Sequence, residues 1–159
     1  MKTEVLTDEL HHPDAQELLR SATLLRLAYA GPDGFPRVIP IGFHWTGDAV
    51  VVCTATTAPK VRALAVSPHV AITIDTGDTP AAARSLLMRG VAELSTVDGV
   101  PDEYLAASAK AMDGSQLPAF EEAVRGIYKQ MVRISIRPQW ARYYNFGAGR
   151  VPKFMQGQG

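Results

Sequence analysis

Short apolar segments separated by tight turns fill the first half of the chain and restrict it to antiparallel β-structure. Residues 23–30 end at Gly31-Pro32-Asp33-Gly34, where glycine supplies positive φ and proline fixes its own φ. Residues 37–45 form a second extended segment, closed by Thr46-Gly47-Asp48, and residues 49–54 form a third. Turns this short join antiparallel strands, because parallel strands need a longer crossover. The three segments are therefore predicted to form an antiparallel meander.

The rest of the chain alternates short helices with further strands. Helical spacing and proline punctuation predict helices over 13–21, 59–66, 101–112 and 118–131, and strands over 70–74, 85–94, 132–136 and 140–146. The βαβ alternation of a doubly wound sheet is absent, as is a Gly-rich dinucleotide fingerprint. Six or seven short antiparallel strands favour a small barrel, because closure removes exposed sheet edges. The predicted class is mainly β with short helices (α+β).

Composition fits one ordinary globular domain. The 159 residues are predicted to form a single domain over 1–159, with flexible tails at 1–12 and 153–159. Basic and acidic side chains number 16 each, so total charge points to no partner. Their distribution is uneven, because every charged residue after Glu122 is basic: Arg125, Lys129, Arg133, Arg137, Arg142, Arg150 and Lys153. Such a basic quarter raises the local concentration of anions.

The chain carries no signal for export or membrane insertion. Residues 1–9 lack the apolar core of a signal peptide, and no stretch reaches the ~18–20 apolar residues of a membrane helix. A cytoplasmic location is the resulting prediction, with no membrane partner. The single cysteine, Cys53, follows the apolar run 49–52 and is predicted to be a buried core residue rather than a nucleophile. No metal site is predicted.

The segment Thr54-Ala55-Thr56-Thr57-Ala58-Pro59-Lys60 carries the clearest chemical signal. It places three hydroxyls and a lysine at the start of a predicted helix. The free N–H groups at a helix start attract anions, and a phosphate is the natural ligand. In the alternative interpretation, Thr57 only caps the helix and Lys60 lies on its solvated face.

Four stretches of the sequence occur in the order typical of one family. They are Gly34-Phe35-Pro36-Arg37-Val38-Ile39-Pro40, the Thr54–Lys60 loop with its helix and Ser67-Pro68, Met88-Arg89-Gly90-Val91-Ala92-Glu93, and residues 131–140, which end in Pro138-Gln139-Trp140. Over roughly residues 13–152 the chain resembles pyridoxamine-phosphate-oxidase-like flavoproteins. In the family's Thr-x-x-x-Ser-x-Lys loop a serine often stands at the position of Ala58. Thr56 or Thr57 would therefore have to supply that hydroxyl.

The resemblance implies an antiparallel split β-barrel of the FMN-binding type. It implies a homodimer that holds FMN, or alternatively the deazaflavin F420, at its interface. The residues it implies for cofactor binding are Arg37, Val38, Ile39, Pro40, Thr54, Thr56, Thr57 and Lys60 from one subunit, with Arg89 and Trp140 from the other. The function it implies is hydride transfer between the flavin and a small organic molecule, in which the cofactor carries the chemistry. No catalytic side chain is assigned.

Three further features have competing interpretations. A non-catalytic flavin- or haem-binding module is the alternative function, and His44 is then the candidate axial ligand of haem, although a structural role for it is favoured. His11, His12 and His69 are predicted to be solvated. The aromatics Trp140, Tyr143, Tyr144 and Phe146 lie among arginines, as in single-stranded nucleic-acid sites, but the balanced total charge argues against a nucleic-acid partner.

Overall fold

The computed structural model describes residues 2–157 as a single sheet with short helices around it. The helices are α1 (Lys2–Leu10), α2 (Pro13–Ser21), α3 (Pro59–Val66), α4 (Asp102–Ala109) and α5 (Leu117–Ile127). The strands are β1 (Leu25–Ala30), β2 (Pro36–Ile41), β3 (His44–Trp45), β4 (Val50–Ala55), β5 (His69–Thr76), β6 (Arg84–Asp98) and β7 (Gln130–Asn145). The predicted mainly β class is confirmed.

All strand pairs are antiparallel, in the order β2-β1-β5-β6-β7-β4-β3. The sheet is not closed, so β2 and β3 are its two edges. Pro36 and Pro40 lie on β2. An edge strand tolerates them because proline has no N–H to give to a second neighbour.

One face of the sheet packs onto the main core. Alternate residues of β5 supply Val70, Ile72 and Ile74 to that core. Helices α2 and α3 close it, since Leu19 and Leu64 are both fully buried there. We call this side the inner face of the sheet and the opposite side the outer face.

A second, smaller core lies on the outer face of β4. Val51 and Cys53 pack there with Val124 of α5 and Met131 of β7, and with Tyr104 of α4 beside them. The first four residues of β4 are therefore buried on both faces, which explains their unbroken apolar sequence. Burial raises the pKa of the Cys53 thiol to about 12, so the thiol stays protonated and unreactive. The prediction that Cys53 is a buried core residue is confirmed.

The predicted meander of three strands is wrong. Strand β2 ends at Ile41, and the fully buried Phe43 turns the chain into the core. The next strand, β3, pairs with β4 at the opposite edge of the sheet from β2. The segment 37–45 thus supplies a strand to each edge of the sheet. The free energy gained by burying the Phe43 ring outweighs the continuous β-propensity of the segment.

The two strands predicted over 132–136 and 140–146 are one strand, β7, which pairs with β6 along its length. The register shifts between Arg89 and Gly90, which face Trp140 and Pro138 respectively. Gln139 is therefore the extra residue of a β-bulge. The helix predicted to end at Met131 ends at Ile127 instead, because Met131 is buried opposite Ala55 in the β4–β7 ladder.

Residues 2–12 of the predicted tail form helix α1 and the turn after it, while Met1 lies outside the described residues. The Glu9 carboxylate accepts hydrogen bonds from the Tyr143 N–H at 2.7 Å and from Arg150 at 2.8 Å. His12 accepts a bond from the Asp14 N–H at the start of α2 and stacks on the Tyr143 ring, so it is not a free solvated histidine. At the other end, Lys153–Met155 forms a 3-10 turn, while residues 158–159 of the predicted tail lie outside the described residues.

The close approach of the two strands at the bulge predicts that position 90 must be glycine. A Cβ added there would lie 2.6 Å from the Arg137 carbonyl oxygen, so the two long strands would have to move apart. We expect Gly90→Ala to lower the free energy of unfolding by ~1–3 kcal/mol. Gly114→Ala is the matched control, since nothing lies within 4 Å of that position. Urea denaturation of both variants measures the difference, and equal stability would contradict the strand packing described.

Candidate functional site

A cleft of about 870 Å³ separates the β1–β2 hairpin from helix α3. Tyr29, Ala30, Gly31, Pro32 and Arg37 form the hairpin side, and residues 56–59, 61–63 and 65–67 form the helix side. Of the predicted cofactor-binding residues, Arg37, Thr56 and Thr57 thus line one cleft. Its size lies within the usual range of small-molecule sites.

The start of α3 faces this cleft without a side-chain cap. Ala58 is the N-cap residue, and no side chain bonds to the first turn. The alternative in which Thr57 merely caps the helix is therefore wrong. Both Thr56 and Thr57 are exposed at the cleft. The positive end of the α3 dipole favours an anion there, although Pro59 has no N–H and the Val61 N–H bonds the Ala58 carbonyl.

Lys60 points back toward the end of β4 and does not line the cleft. Its Nζ donates to the Thr54 hydroxyl at 3.3 Å, and burial lowers the pKa of the amine. No carboxylate among residues 2–157 pairs with it. Thr54 and Lys60, which were both predicted to bind the cofactor, thus contact each other. They lie behind the exposed Thr56 and Thr57 and not at the surface of the cleft.

The predicted segment Arg37–Pro40 divides between the two faces of β2. Arg37 and Ile39 lie on the inner face, where Ile39 packs against the main core. Val38 and Pro40 lie on the outer face, and Val38 is 65 % exposed. The Arg37 guanidinium bonds both carboxylate oxygens of Asp33 at 2.9 Å and lowers the pKa of that carboxyl group. Its charge is thereby already paired within the hairpin.

Cross-strand register brings three of the predicted residues into one row on the outer face. Val38 faces Ala28, Ala28 faces Ala71, Ala71 faces Arg89, and Arg89 faces Trp140. The row crosses β2, β1, β5, β6 and β7. Arg89 and Trp140 are accordingly on the same sheet surface as Val38, three and four strands away from it, and none of the three lines the cleft beside α3.

Two arginines contact the Trp140 ring. The Arg89 Cζ lies 4.1 Å from the ring centroid, and the Arg142 Cζ lies 5.0 Å from it. Arg142 shares the outer face because it follows Trp140 by two positions along β7.

The basic C-terminal quarter is largely neutralised by the fold. Its arginines pair with carboxylates from other segments or from the same helix: Arg125 with Glu121, Arg133 with Glu103, Arg137 with Asp48 and Arg150 with Glu9. Arg142 is different, since no carboxylate of residues 2–157 pairs with it.

His44 lies away from the cleft. It faces Val51 across the β3–β4 pair, on the side covered by α4. Two residues of interest escaped the sequence prediction. Arg62 and Tyr29 line the cleft, but Arg62 had no motif to mark it, and Tyr29 belonged to an ordinary strand pattern. Among residues 2–157, every helix is too short or too polar to span a membrane.

Comparison with solved structures finds the same fold in several proteins. A conserved hypothetical protein of Mycobacterium tuberculosis superposes with a TM-score of 0.69 at 19 % identity, covering 91 % of both chains. An F420 reductase matches with a TM-score of 0.56 at 25 % identity, covering 79 % of this chain and 94 % of its own. The haem-storage protein HutZ of Vibrio cholerae gives 0.60 at 20 %, covering 86 % and 96 %. The predicted split-barrel fold is confirmed.

Sequence comparison identifies the family. No curated protein matches the chain. The family model for pyridoxamine 5'-phosphate oxidase matches residues 12–144, which is most of the sequence. The chain therefore belongs to the pyridoxamine 5'-phosphate oxidase family.

Proposed function

We propose that this protein is a homodimeric oxidoreductase that transfers a hydride between bound FMN and a small organic molecule. The observation that carries the proposal is the uncapped start of α3, which meets two exposed threonines at a cleft of cofactor size. Membership of a family named for an oxidase, and a fold shared with an F420 reductase, support a flavin-type cofactor.

The residues around α3 fit a phosphate. The Thr56 and Thr57 hydroxyls are donors that can bond phosphate oxygens. The first turn of α3 adds fewer N–H groups than usual, because Pro59 has none and the Val61 N–H bonds the Ala58 carbonyl at 3.0 Å. Arg62 lines the same cleft, and no carboxylate of residues 2–157 pairs with it. Lys60 adds a second charge behind the loop, and Thr54 holds its amine in place. These groups compensate for Ala58, which lacks the hydroxyl of the family serine.

The ring of the cofactor would lie toward the β1–β2 hairpin. Strand β2 is an edge strand, so backbone groups between Arg37 and Pro40 that do not bond β1 are open to a ligand. The Asp33–Arg37 pair fixes the hairpin that carries this edge. FMN supplies the hydride chemistry when it is bound, and the protein supplies binding and orientation.

F420 is the alternative cofactor. Both cofactors carry a phosphate, so the α3 site suits either one. The F420 reductase that shares the fold supports this alternative, although the neutralised C-terminal quarter weakens the case for an extended basic surface. The absorption spectrum of the purified protein, followed by mass analysis of the released cofactor, distinguishes the two. A protein that bound neither on titration would refute the proposal.

The bare outer face of β2, β1 and β5 supports the homodimer. Helices α4 and α5 cover the outer face near β4, whereas Val38 at the other edge is 65 % exposed. Ala28 and Ala71 continue the same surface inward from Val38. We propose that a second copy packs here, which would bring Arg89 and Trp140 of one subunit toward the cleft of the other.

Replacement of the lysine tests the phosphate site. We expect Lys60→Ala to weaken FMN binding roughly tenfold, because its amine lies behind the loop and contributes less than a direct charge-assisted contact, which is worth about 1.5–3 kcal/mol. Lys2→Ala, at the exposed start of α1, should leave affinity unchanged. Quenching of FMN fluorescence on titration measures both. Equal affinity of the Lys60→Ala variant and the parent would place the phosphate elsewhere.

Replacement of Val38 tests the interface. Val38→Asp should weaken dimerisation by about tenfold or more, because a buried unpaired carboxylate is costly. Ile127→Asp is the matched control, since Ile127 is 68 % exposed on α5, away from the outer face of β2. Sedimentation equilibrium should report twice the 17.2 kDa chain mass for the control and a shift toward the monomer for Val38→Asp. A dimer unaffected by Val38→Asp would exclude this face.

The non-catalytic alternative is distinguished by turnover. HutZ is described as a haem-storage protein and shares the fold, so the fold alone does not decide between storage and catalysis. Bound flavin that is neither reduced by a nicotinamide cofactor nor reoxidised by any acceptor would favour storage. For haem, full affinity in a His44→Ala variant would remove His44 as the axial ligand.

A further inference from the structure

We infer that Tyr29 is a catalytic residue that donates a proton to the substrate, an uncharged molecule whose carbonyl group is conjugated to a carbon–carbon double bond. The inference rests on the proposed function, because it takes a reduced flavin in the cleft beside α3 as the source of the hydride. It deepens that function by naming the acid and the class of molecule that is reduced.

Tyr29 lines the cleft from the hairpin side, toward which the cofactor ring is proposed to lie. It lies on the inner face of β1, directly opposite Arg37 of β2. Its ring packs against the main core, so apolar contact fixes the position of the side chain. A tyrosine held in this way keeps its apolar body in the protein and its hydroxyl at the wet side.

The Tyr29 hydroxyl is available to a ligand. Within residues 2–157 it has no hydrogen-bond partner, and the only buried side-chain oxygen or nitrogen without a partner there is the Tyr143 hydroxyl. The Tyr29 hydroxyl is therefore open to solvent in the cleft. Arg37 does not occupy it, because its guanidinium donates to both Asp33 oxygens at 2.9 Å and to the Phe35 carbonyl at 2.8 Å.

The other side chains that line the cleft are poor proton donors. Among residues 2–157 the lining contains no histidine, carboxylate, thiol or lysine, and its remaining polar side chains are Arg37, Thr56, Thr57, Arg62 and Ser67. Aliphatic hydroxyls are far weaker acids than a phenol, and a guanidinium keeps its proton. Arg89 and Trp140, which a second copy would bring toward this cleft, are no better. A proton that the described lining gives to a substrate therefore comes from Tyr29.

The surface of the cleft defines the class of substrate. Much of the lining is apolar and includes Ala30, Pro32, Val61, Ala65 and Val66. A cationic substrate would find no carboxylate among these lining residues. Arg37 is paired with Asp33, and the threonines and Arg62 are proposed to hold the phosphate. The Tyr29 hydroxyl is the donor that remains, so the surface suits an uncharged, mainly apolar molecule with one carbonyl oxygen.

The cleft also has room for this molecule beside the cofactor. Its volume of about 870 Å³ lies near the upper end of the range for small-molecule sites, which is roughly 300–1,000 Å³. The Tyr29 hydroxyl and the proposed place of the cofactor ring are both on the hairpin side. A hydride and a proton can therefore reach the same substrate within one cavity.

The step balances as a two-electron reduction. The hydride from the reduced flavin forms a C–H bond at the β-carbon, and the electrons of the carbon–carbon double bond move toward the carbonyl oxygen. That oxygen takes the phenolic proton as the O–H bond of Tyr29 breaks, which yields the enol. The flavin is oxidised by two electrons, and water in the open cleft returns a proton to the phenolate.

Reoxidation of the bound flavin by two acceptors tests this role. FMN-loaded protein is reduced with dithionite without oxygen, and absorbance follows its reoxidation by cyclohex-2-enone or by ferricyanide, which takes electrons without a proton. We expect Tyr29→Phe to slow the reaction with saturating enone roughly 100-fold or more. Ferricyanide reoxidation and FMN affinity should stay unchanged. Tyr104→Phe, in the second core, is the matched control.

A spectroscopic measurement tests the contact without turnover. In protein labelled with ¹³C at the tyrosine Cζ atoms, the Tyr29→Phe variant identifies the Tyr29 signal among the five tyrosines. We expect cyclohex-2-enone to shift this signal saturably in the oxidised, FMN-loaded protein. The signal of the buried Tyr143 should stay in place.

The outcomes separate this inference from the proposed function. The inference alone is overturned if flavin binds and ferricyanide reoxidises it, but the enone does not oxidise it or oxidises the Tyr29→Phe variant as fast as the parent. Equal slowing with both acceptors, or an unmoved Tyr29 signal, would also overturn it. Protein that binds neither FMN nor F420 would refute the proposed function and this inference together.

Discussion

The long antiparallel ladder between β6 and β7 supports everything else in the molecule. Strand β6 carries β5, β1 and β2 along its other side, and β7 carries β4 and β3. Both halves of the sheet, and hence both of its edges, take their positions from this one pair. Gly90 is essential to it, because the Arg137 carbonyl leaves no room for a side chain. The bulge beside Gly90 also orients Arg89 and Trp140, so the stability of the fold and the geometry of the outer face depend on the same few residues.

Charge in this protein is organised by contact rather than by position along the chain. The last quarter of the sequence is purely basic, but its arginines reach back to Glu9, Asp48 and Glu103 in distant segments. These pairs are partly or largely exposed, so each adds little to stability. Because these ion pairs neutralise most of the arginines, few arginines keep an uncompensated positive charge. Arg62 at the cleft and Arg89 with Arg142 on the outer face are positive groups that the chain itself does not neutralise.

Local signals predicted the elements well, and tertiary burial decided where the prediction was wrong. The helix over 59–66, the apolar strand β4 and the burial of Cys53 were correct because propensity, punctuation and packing agree there. The break at Phe43 could not be predicted, since only the core shows that this ring turns inward. The same holds for α1, whose attachment depends on Glu9 meeting a backbone N–H more than a hundred positions away.

The candidate site was predictable in part for the same reason. The Thr54–Lys60 loop is a local motif that can be found in the sequence, and its residues 56–59 line the cleft while Thr54 and Lys60 lie behind it. Arg62 and Arg142 carry no motif, and only the folded structure shows that one lines the cleft and the other contacts Trp140. The division of Arg37, Val38, Ile39 and Pro40 between two faces follows from the two-residue period of a strand. A contiguous run of four residues on β2 cannot meet one ligand with all its side chains, although its backbone edge can.

The location of His44 bears on the choice between haem and flavin. Its imidazole lies under α4, on the opposite side of β4 from the main core, and it lines none of the four cavities described for residues 2–157. Haem bound through His44 would therefore need space that none of these cavities provides beside the imidazole. A phosphate at α3 meets a cleft that Thr56, Thr57 and Arg62 already line. The arrangement of the chain therefore favours a phosphate-bearing cofactor over a haem ligated by this histidine.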